Sequence, residues 1–531
     1  MRVLLINPFY PISETPSPPL GLAYLAAALE EAGAEVRVLD LVVHPYRTQM
    51  LAELLDEFQP QLAGITAVTM TVDHAMGVLA DLKRLRPQIV TVMGGPHVSF
   101  SAQQTLQACP ALDIAVIGEG ERTIVELAHA VSGGGRHLEG IDGIAYRDGR
   151  RARITARRRF IADLDRLPPP ARHLLPLGRY RALGMPITMT TSRGCPHRCI
   201  FCVGRKMVGS RVRYRSPQRV VDELEALSGL GFHQINIADD LFTANRHHCI
   251  AVCEEILRRS LSVQWTSFAR VDTVSEEVLS CMKAAGCTAV SFGVESANRE
   301  ILKTIKKRIT PEQVAAAVRM CGRTGVTPFA SFILGLPGET PETIQESMAF
   351  GRRLKELGLM YGFHLLAPFP GTEVRERSAA LGLRILTDDW SQYHANRAVV
   401  ETASVTRRML DEVAIGWEQN FNRYLGEIRD RMHRGEATAD EVHQLTNLER
   451  IVAVYNLMMQ RVIETRGTWR TDGALRKDEH LLKMLLARVC ENGFADRPEV
   501  RRAIEKAVAD EVLICQIQGE RVEWRWRDYL I

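Results

Sequence analysis

Long uncharged apolar runs are missing from this sequence. A membrane-spanning helix needs about 20 consecutive apolar residues, and every stretch of that length in this chain is interrupted by charged residues. Residues 1–6 pass directly into a strand pattern rather than into the apolar core of a signal peptide. The sequence therefore predicts no membrane span and a cytoplasmic location.

A strong excess of charge is missing as well. The chain of 531 residues has 67 Lys and Arg against 63 Asp and Glu, which gives a formal net charge of +4. Nucleic-acid-binding proteins are normally far more basic. One basic run at residues 157–159 is more typical of a solvated surface than of an anion site. We therefore expect neither nucleic acid nor an anionic membrane as the main partner.

Cysteine is too sparse for a disulfide scaffold, with eleven in the whole chain. Most of the scattered ones are expected to be small buried hydrophobes in a reducing compartment. These scattered cysteines are Cys109, Cys249, Cys253, Cys281, Cys287, Cys321, Cys490 and Cys515.

The other three cysteines are concentrated in one loop. Cys195, Cys199 and Cys202 lie at positions i, i+4 and i+7, directly after an apolar run at residues 186–191. Thiolates suit iron–sulfur clusters and zinc, and three of them on a four-iron cluster leave one iron free to bind a small molecule. Zinc would need a fourth ligand, and the nearby His197 is not at a usual zinc spacing. The spacing therefore favours a cluster with an open iron.

The length suggests about three domains, and the apolar patterning divides the chain accordingly. Residues 1–140 alternate strands with helical stretches, which is typical of a doubly wound α/β domain; the predicted strands are 3–8, 36–41, 62–68, 89–93 and 114–117. Small-molecule sites in such sheets lie beyond the carboxyl ends of the strands. Residues 141–180 then form a linker with a hairpin near 144–149.

Six more strands follow at 186–191, 235–238, 263–268, 288–292, 329–334 and 361–366. Six βα units make a partial TIM-like barrel, whose site lies at the strand carboxyl ends, and we assign it to residues 181–387. From residue 388 the apolar residues recur at helical spacing, so 388–531 is predicted to be a mostly helical cap. The aromatic stretch 524–529 near its end is predicted to be a docking tail or a lid.

Taken together, these motifs resemble those of the cobalamin-dependent radical S-adenosylmethionine (SAM) enzymes. Cys195-x-x-x-Cys199-x-Phe201-Cys202 is similar to the signature of the radical SAM superfamily. The glycine-bearing strand ends of residues 1–140 resemble the cobalamin-binding domain that precedes the barrel in one large subclass. The resemblance implies a 4Fe-4S cluster on the three cysteines, SAM on its open iron, and a corrinoid above the first sheet.

The resemblance also implies site residues. For SAM they are Phe201, Asp239, Asp240, Arg270, Glu295 and Gly335. For cobalamin they are Pro19, Leu20, Gly21, Thr66, Gly94, Gly95, His97, Gly118, Glu119 and Gly120. Glu295 would accept from the ribose diol and Arg270 would lie near the SAM carboxylate, whereas one of the two aspartates could instead cap a helix.

A histidine ligand below cobalt is not expected. The Asp-x-His-x-x-Gly motif that carries it in many cobalamin proteins is missing after the first strand, and residues 73–77 only approach it. His44, His74 and His97 are candidates, although each is more readily an ordinary histidine. We therefore expect cobalamin without a histidine lower ligand.

The resemblance implies a methyltransferase that acts on an unactivated carbon, or on phosphorus, of a small-molecule or natural-product substrate. A 5'-deoxyadenosyl radical would remove a substrate hydrogen, and the substrate radical would take a methyl group from methylcobalamin. The sequence identifies no catalytic base. An external electron donor of the flavodoxin or ferredoxin type and a monomeric state are expected.

Three alternatives stay open. A cyclase, rearrangement or oxidation enzyme would use the same cofactors without methylation. A methylthiotransferase would need a second cysteine trio, where residues 1–140 have only Cys109. A sensor without catalysis would not need the full trio. If cobalamin lies opposite the cluster, the strand ends of the first domain should face the cysteine loop.

Overall fold

The first unit is a seven-stranded sheet with helices on both faces. The computed structural model describes residues 1–10, 16–134, 137–149, 151–394, 396–471, 478–490 and 498–531, without the side chains of residues 478, 479 and 490. The strands are β1 (Arg2–Asn7), β2 (Glu35–Asp40), β3 (Leu62–Thr66), β4 (Val90–Gly94), β5 (Ile114–Val116), β6 (Ile144–Asp148) and β7 (Arg151–Ile154). The helices are α1 (Leu20–Glu31), α2 (Thr48–Phe58), α3 (Val72–Leu85), α4 (Pro96–Ala108) and α5 (Glu121–Ser132).

The strand order is β2-β1-β3-β4-β5-β6-β7, and the first five strands are parallel. This order is one of the two common doubly wound arrangements, in which ligands bind where the order reverses. Strands β1, β3 and β4 are almost wholly apolar because both faces of the sheet are covered by separate cores. The predicted hairpin forms β6 and β7, which extend the sheet antiparallel at its edge.

The second unit is built around a six-stranded, fully parallel sheet. It comprises, in chain order, α6 (Leu177–Leu183), β8 (Ile187–Met189), β9 (Ser192–Arg193), α7 (Gly204–Val208), β10 (Arg213–Tyr214), α8 (Pro217–Gly229), β11 (Gln234–Ile237), α9 (Arg246–Arg258), β12 (Gln264–Ala269), α10 (Glu276–Ala284), β13 (Cys287–Glu295), α11 (Arg299–Thr304), α12 (Pro311–Thr324), β14 (Thr327–Leu334), α13 (Pro341–Lys355), β15 (Met360–Leu365) and α14 (Glu373–Glu376). The sheet order β15-β14-β13-β12-β11-β8 follows the chain, apart from the short β9–β10 pair outside it. Sequential winding with right-handed crossovers places the helices on one face, which is the partial barrel that the strand count predicts.

The third unit is mostly helical but ends in a small sheet. Its elements are β16 (Arg384–Ile385), β17 (Val400–Glu401), α15 (Arg407–Arg434), α16 (Ala439–Met459), α17 (Val462–Arg466), β18 (Thr468–Arg470), α18 (Asp478–Cys490), α19 (Pro498–Ala509), β19 (Leu513–Gln518) and β20 (Arg521–Trp526). The antiparallel order β18-β20-β19 makes the stretch around Trp524 a strand rather than a free tail. Val522, Trp524 and Trp526 alternate into the core, which favours a strand.

The scattered cysteines largely behave as core residues. Five of them are buried, namely Cys109, Cys249, Cys253, Cys287 and Cys321. Cys281 and Cys515 are half-buried, and the side chain of Cys490 lies outside the described residues. Across the described ranges, no helix combines the length and the apolar character that a bilayer crossing requires.

Candidate functional site

A cavity of about 400 Å³ lies between the first sheet and the loop that carries the three cysteines. One wall consists of strand ends and helix starts of the first unit. The other wall consists of residues from the second unit: Thr190, Ser192, Arg193, Met207, Val208, Ala238 and Asp240. The strand ends of the first domain therefore face the cysteine loop, as the sequence predicts.

Seven of the ten predicted cobalamin residues line this cavity: Gly21, Thr66, Gly94, Gly95, Gly118, Glu119 and Gly120. Gly95 has φ +102°, and a Cβ there would lie 2.7 Å from the Ala67 carbonyl oxygen. Only glycine lets the chain turn so closely past this strand end. Glycine backbone and open space are what a large planar ligand needs above a sheet, so the cavity fits a corrinoid.

Three predicted cobalamin residues lie outside the cavity lining. Pro19 precedes α1 and Leu20 begins it. His97 is buried against the Trp390 ring, 5.2 Å between centroids, and its Nδ1 lies 3.3 Å from Thr69 Oγ1. Burial lowers the pKa of His97 to about 4. The ring of His97 thus packs against Trp390 instead of lining this cavity, and its role toward cobalamin stays a prediction.

The other two candidate histidines also point elsewhere. His44 Nε2 lies 3.3 Å from a carboxylate oxygen of Asp528, and His74 Nδ1 accepts from the Phe9 N–H at 3.3 Å. Among the described residues that line the cavity there is no histidine. The absence of a histidine lower ligand stays a prediction, and these contacts are consistent with it.

Glu119 belongs to a network of buried ion pairs that joins the first two units. Its carboxylate accepts from Ile161 N–H at 2.8 Å and from the Arg213 guanidinium at 2.9 and 3.0 Å. Arg193 reaches Glu119 at 3.3 Å and Glu121 at 2.6 Å. The second carboxylate oxygen of Glu121 is buried without a protein partner at the cavity wall. Sequence reasoning did not identify Glu121, Arg193 or Arg213, because their pairing depends on domain docking.

The cysteine loop is fixed at its start by Asp239, which is 2% exposed. One carboxylate oxygen accepts from Thr191 N–H at 2.6 Å, and the other accepts from the hydroxyls of Thr191 and Ser192 at 2.5 and 2.7 Å. These contacts occupy both oxygens, so Asp239 positions the loop rather than facing a ligand. Asp240 accepts from Gly194 N–H at 3.2 Å and lines the cavity, which makes it the better SAM candidate of the pair.

The three loop cysteines are unpaired thiols, half-buried at Cys195 and Cys199 and exposed at Cys202. Within the described ranges, no three His, Cys, Asp or Glu side chains converge closely enough to hold one metal ion. A cubane cluster needs no such convergence, since each thiolate binds a different iron atom. The donor set fits a 4Fe-4S cluster better than zinc.

Beside the loop lies a buried ion pair between Glu295 and Lys307. Lys307 Nζ donates to Glu295 Oε1 at 2.8 Å, and both side chains are less than a tenth exposed. Lys307 Nζ also lies 6.0 Å from the centroid of the Phe201 ring. Glu295 and the Phe201 ring therefore meet around one cation next to the cysteine loop, and Lys307 is a candidate site residue that sequence reasoning missed.

The backbone around this pair is unusual. Glu295, Lys306 and Arg308 all have φ between +57° and +69°, a region that non-glycine residues rarely adopt. Arg270 braces the segment, since its guanidinium donates to the Lys307 carbonyl at 2.8 Å and to both Asp272 carboxylate oxygens at 2.9 Å. Such strain persists only where surrounding contacts enforce it, and it clusters at functional sites.

Gly335 begins the turn after β14. It has φ +88°, and its N–H donates at 2.6 Å to Glu339, which also accepts from Leu336 N–H at 3.0 Å. Glu339 is 1% exposed, and burial raises its pKa to about 8. Glu339 thus holds the predicted SAM residue Gly335 in its turn.

The face of the second sheet opposite its helices is largely uncharged. Register pairing aligns Phe268 with Ser291, Ser291 with Phe329, and Phe329 with Met360 on this face. Phe268 is 45% and Met360 52% exposed, whereas the alternate residues such as Trp265 and Phe332 are buried. The face leads at its carboxyl edge to Ala238 and Asp240, which line the cavity. An open, largely uncharged surface therefore adjoins the cavity and the cysteine loop.

Comparison with known proteins agrees with this geometry. Residues 13–128 match the B12 binding domain, and residues 189–351 match the radical SAM superfamily. An uncharacterized methyltransferase of Pyrococcus horikoshii is 36% identical over 78% of this chain and 90% of its own. The anaerobic magnesium-protoporphyrin IX monomethyl ester cyclase of Rubrivivax gelatinosus is 31% identical over 79% and 77%.

Among solved structures, the radical SAM methyltransferase TsrM of Kitasatospora setae, with cobalamin and a [4Fe-4S] cluster bound, superposes with a TM-score of 0.61. It is 25% identical and covers 77% of this chain and 84% of its own. The chain thus belongs to the cobalamin-dependent radical SAM enzymes, whose cofactors are a 4Fe-4S cluster, SAM and cobalamin.

Proposed function

We propose that this enzyme is a methyltransferase that methylates an unactivated carbon, or phosphorus, of a small molecule or natural product. The observation that carries the proposal is the shared edge where the cavity, the cysteine loop and the uncharged sheet face meet. When bound, cobalamin supplies a methyl group, and the cluster with SAM supplies a carbon-centred radical. A substrate on the sheet face would lie within reach of both.

The residues of the chain have binding and positioning roles in this proposal. Cys195, Cys199 and Cys202 would hold the cluster, the glycine-bearing strand ends would hold the corrinoid, and Phe268 would contact the substrate through its exposed ring. Exclusion of water by the docked domains would protect the radical. An electron donor of the flavodoxin or ferredoxin type would supply the reducing electron.

A cyclase or another non-methylating enzyme is the second candidate, because the relatives include a cyclase of similar coverage. The two functions differ in what they make from SAM. Methyl transfer yields S-adenosylhomocysteine together with 5'-deoxyadenosine, whereas a non-methylating reaction yields 5'-deoxyadenosine without S-adenosylhomocysteine.

The test is anaerobic reconstitution with iron, sulfide and cobalamin, followed by a screen of candidate substrates for SAM consumption. Substrate-dependent formation of both products and a methylated substrate would support the proposal. A substrate that is converted with 5'-deoxyadenosine as the sole SAM product would contradict it and favour the cyclase class. A Cys199→Ala variant is the control, since it removes a predicted cluster ligand.

A further inference from the structure

Basic side chains surround the cysteine loop on its solvent side. The loop itself carries Arg198, and Arg205 and Lys206 follow it in α7. The Arg205 guanidinium donates to the Pro196 carbonyl at 2.7 Å, so its charge lies against the loop. Pro196, Arg198 and Lys206 are exposed. The loop is therefore an outer layer of the protein, and a group held by its cysteines would lie close to this surface.

The basic run of the linker, which the sequence predicts to be a solvated surface, lies beside the same loop. Arg157 donates to the Lys206 carbonyl at 2.7 Å, and its guanidinium lies 5.3 Å from the centroid of the Phe160 ring. That ring packs against Gly209, where a Cβ would lie 3.1 Å from it. The Gly209 carbonyl in turn accepts from Cys195 N–H at 3.1 Å. The linker and the loop thus share one surface.

Two further segments bring positive charge to this surface. A Cβ on Gly194, at the start of the loop, would lie 2.5 Å from the Arg211 carbonyl oxygen, so the backbone of the exposed Arg211 passes directly against the loop. On the other side, Ile200 N–H donates to the Ile305 carbonyl at 3.2 Å. This bond ties the segment that ends in the exposed Arg308 to the loop.

The arginines around the loop lack carboxylate partners. Across the ranges that the structure describes, no Asp or Glu oxygen lies within 4.0 Å of the guanidinium nitrogens of these residues, which we call the basic rim: Arg157, Arg159, Arg198, Arg205, Arg211 and Arg308. The neighbouring Lys206 and Lys306 do pair, with Glu376 and Glu373. The formal net charge of the whole chain is only +4, so the rim is a local concentration of positive charge. Such a surface attracts an acidic partner and speeds its association.

We propose that the basic rim binds the acidic surface of an electron-donor protein of the flavodoxin or ferredoxin type. One electron would leave the reduced flavin or iron–sulfur centre of the donor and enter the cluster, with no bond formed or broken. Electron transfer slows steeply with distance, so a donor docked at the loop is better placed than one docked on a distant face. The inference rests on the electron donor of the proposed function and holds for methyl transfer and cyclisation alike.

The test measures how fast reduced flavodoxin reduces the cluster of anaerobically reconstituted protein, by stopped-flow absorbance and without substrate. The triple variant Arg159→Gln, Arg198→Gln, Arg211→Gln removes three exposed charges of the rim. Its second-order rate constant at low salt is expected to fall about tenfold or more, since electrostatic steering typically contributes about 10- to 1,000-fold. Added salt should slow the wild-type reaction steeply and the variant much less.

This measurement is independent of the reaction that the enzyme catalyses, because no substrate is present. Failure of methyl transfer would leave the rate of cluster reduction unchanged. Loss of donor docking would slow reduction by flavodoxin and leave reduction by photoreduced deazaflavin, a small donor that needs no docking surface, at the wild-type rate. The two proposals can therefore fail separately.

The matched control is the triple variant Arg319→Gln, Arg352→Gln, Lys355→Gln. These exposed residues lie in the second halves of α12 and α13, which end at the amino edge of the second sheet, away from the loop. The control loses the same charge and should keep the wild-type rate with flavodoxin. If the rim variant does not load its cluster, Arg159→Glu, which lies outside the loop, is measured instead, with an expected fall of about threefold.

Three results would overturn the proposal. A rim variant that flavodoxin reduces at the wild-type rate would place the donor elsewhere and leave the rim to an anionic substrate. Equal slowing in the rim and control variants would mean that only the overall charge of the chain matters. Equal slowing with deazaflavin and flavodoxin would mean that the arginines act on the cluster itself.

Discussion

At Gly293, the missing side chain is what allows Glu295 and Lys307 to meet. A Cβ at this position would overlap Glu295 Oε1 and lie 2.8 Å from Lys307 Nζ. Both atoms belong to a buried pair that has no room to move toward solvent. This glycine therefore leaves the space that the ion pair occupies beside the proposed SAM site.

Gly293→Ala is expected to displace the ion pair and to weaken SAM binding, by about tenfold for the loss of one charged contact. Gly362→Ala is the matched control, because Gly362 lies on the same sheet and a Cβ there has no heavy atom within 4 Å. SAM affinity of the reconstituted proteins is the measurement. Equal affinities in the two variants would contradict the role of Gly293.

The raised pKa of Glu339 should make the free energy of unfolding depend on pH. Burial raises its folded pKa to about 8, above the usual value near 4.5. The folded state therefore binds a proton that the unfolded state releases, so the contribution of Glu339 to stability is present below pH 4.5 and is lost as the pH rises to about 8.

Glu339→Gln removes this titration while it keeps an acceptor for the N–H groups of Gly335 and Leu336. The variant should gain stability relative to wild type between pH 5 and pH 8, by roughly 1–3 kcal/mol. Urea unfolding midpoints of the cofactor-free proteins at the two pH values measure the difference. A constant difference across this range would contradict the expectation.

The site residues differ in how far the sequence could indicate them. Cys195, Cys199 and Cys202 carry a local spacing, so their grouping needs no tertiary information. Lys307 lies between Lys306 and Arg308, and such a run is typical of a solvated surface. Only the positive φ values and the packing against Glu295 bury the middle member.

At the scale of elements, the cysteine loop depends on the end of β11. Asp239 ties β11 to Thr191 and Ser192 through three contacts between 2.5 and 2.7 Å. The loop is further held by Cys195 N–H on the Gly209 carbonyl. The conformation that presents the three thiols is thus set from outside the loop.

Asp239→Ala would leave two hydroxyls and one N–H unpaired in a buried place. The expected cost is about 1–3 kcal/mol per unsatisfied group, partly relieved by relaxation. We predict a lower melting temperature and reduced iron loading after reconstitution. Asp240→Ala, which removes one contact with Gly194, should melt close to wild type; equal destabilisation would contradict the distinction between the pair.

The elements with regular apolar patterns could be predicted from the sequence. Those that depend on contacts with distant segments of the chain could not. β1, β3 and β4 are mostly apolar runs, and the strands of both sheets form close to the positions that the sequence predicts. The sequence predicts the hairpin near residues 144–149, but the pairing of the hairpin with β5 is a long-range contact. β20 alternates buried Val522 and tryptophans with Glu523 and Arg525, a pattern easily mistaken for a charged tail.

At the scale of the molecule, the cavity exists because two units dock face to face. Arg193 and Arg213 on one side meet Glu119 and Glu121 on the other. Neither wall alone encloses a ligand. The proposed boundaries at residues 140 and 180 therefore separate units that share one site.

Gly21→Leu is predicted to fill the cavity and to lower cobalamin retention by about tenfold or more, since a large ligand cannot share the space. A Cβ at Gly21 meets no heavy atom within 4 Å, so the change should not disturb α1. Gly77→Leu is the control, because Gly77 is equally open in α3 but lies away from the cavity. Cobalamin bound per chain after gel filtration is the measurement; equal retention in both variants would contradict the assignment.

The third unit contacts both of the first two units. Its core includes Val42 and Val43, which follow β2, and Tyr180 from α6. Asp528, beyond β20, contacts the Arg179 guanidinium at 2.5 Å and lies 3.3 Å from His44. Its carbonyl also accepts from Gly178 N–H at 3.0 Å.

We predict that this attachment of the last residues affects how long a bound corrinoid stays in the cavity. Asp528 contacts residues of both units that form the cavity, so we predict that its contacts slow any separation of the two walls. Asp528→Ala should speed both release and uptake of cobalamin by about 3- to 10-fold with a smaller change in affinity, as expected for a gating step. Release after dilution into excess competing corrinoid, followed over time, measures it; unchanged rates would place the gate elsewhere. The contacts of Asp528 would thus set the rate of cobalamin exchange.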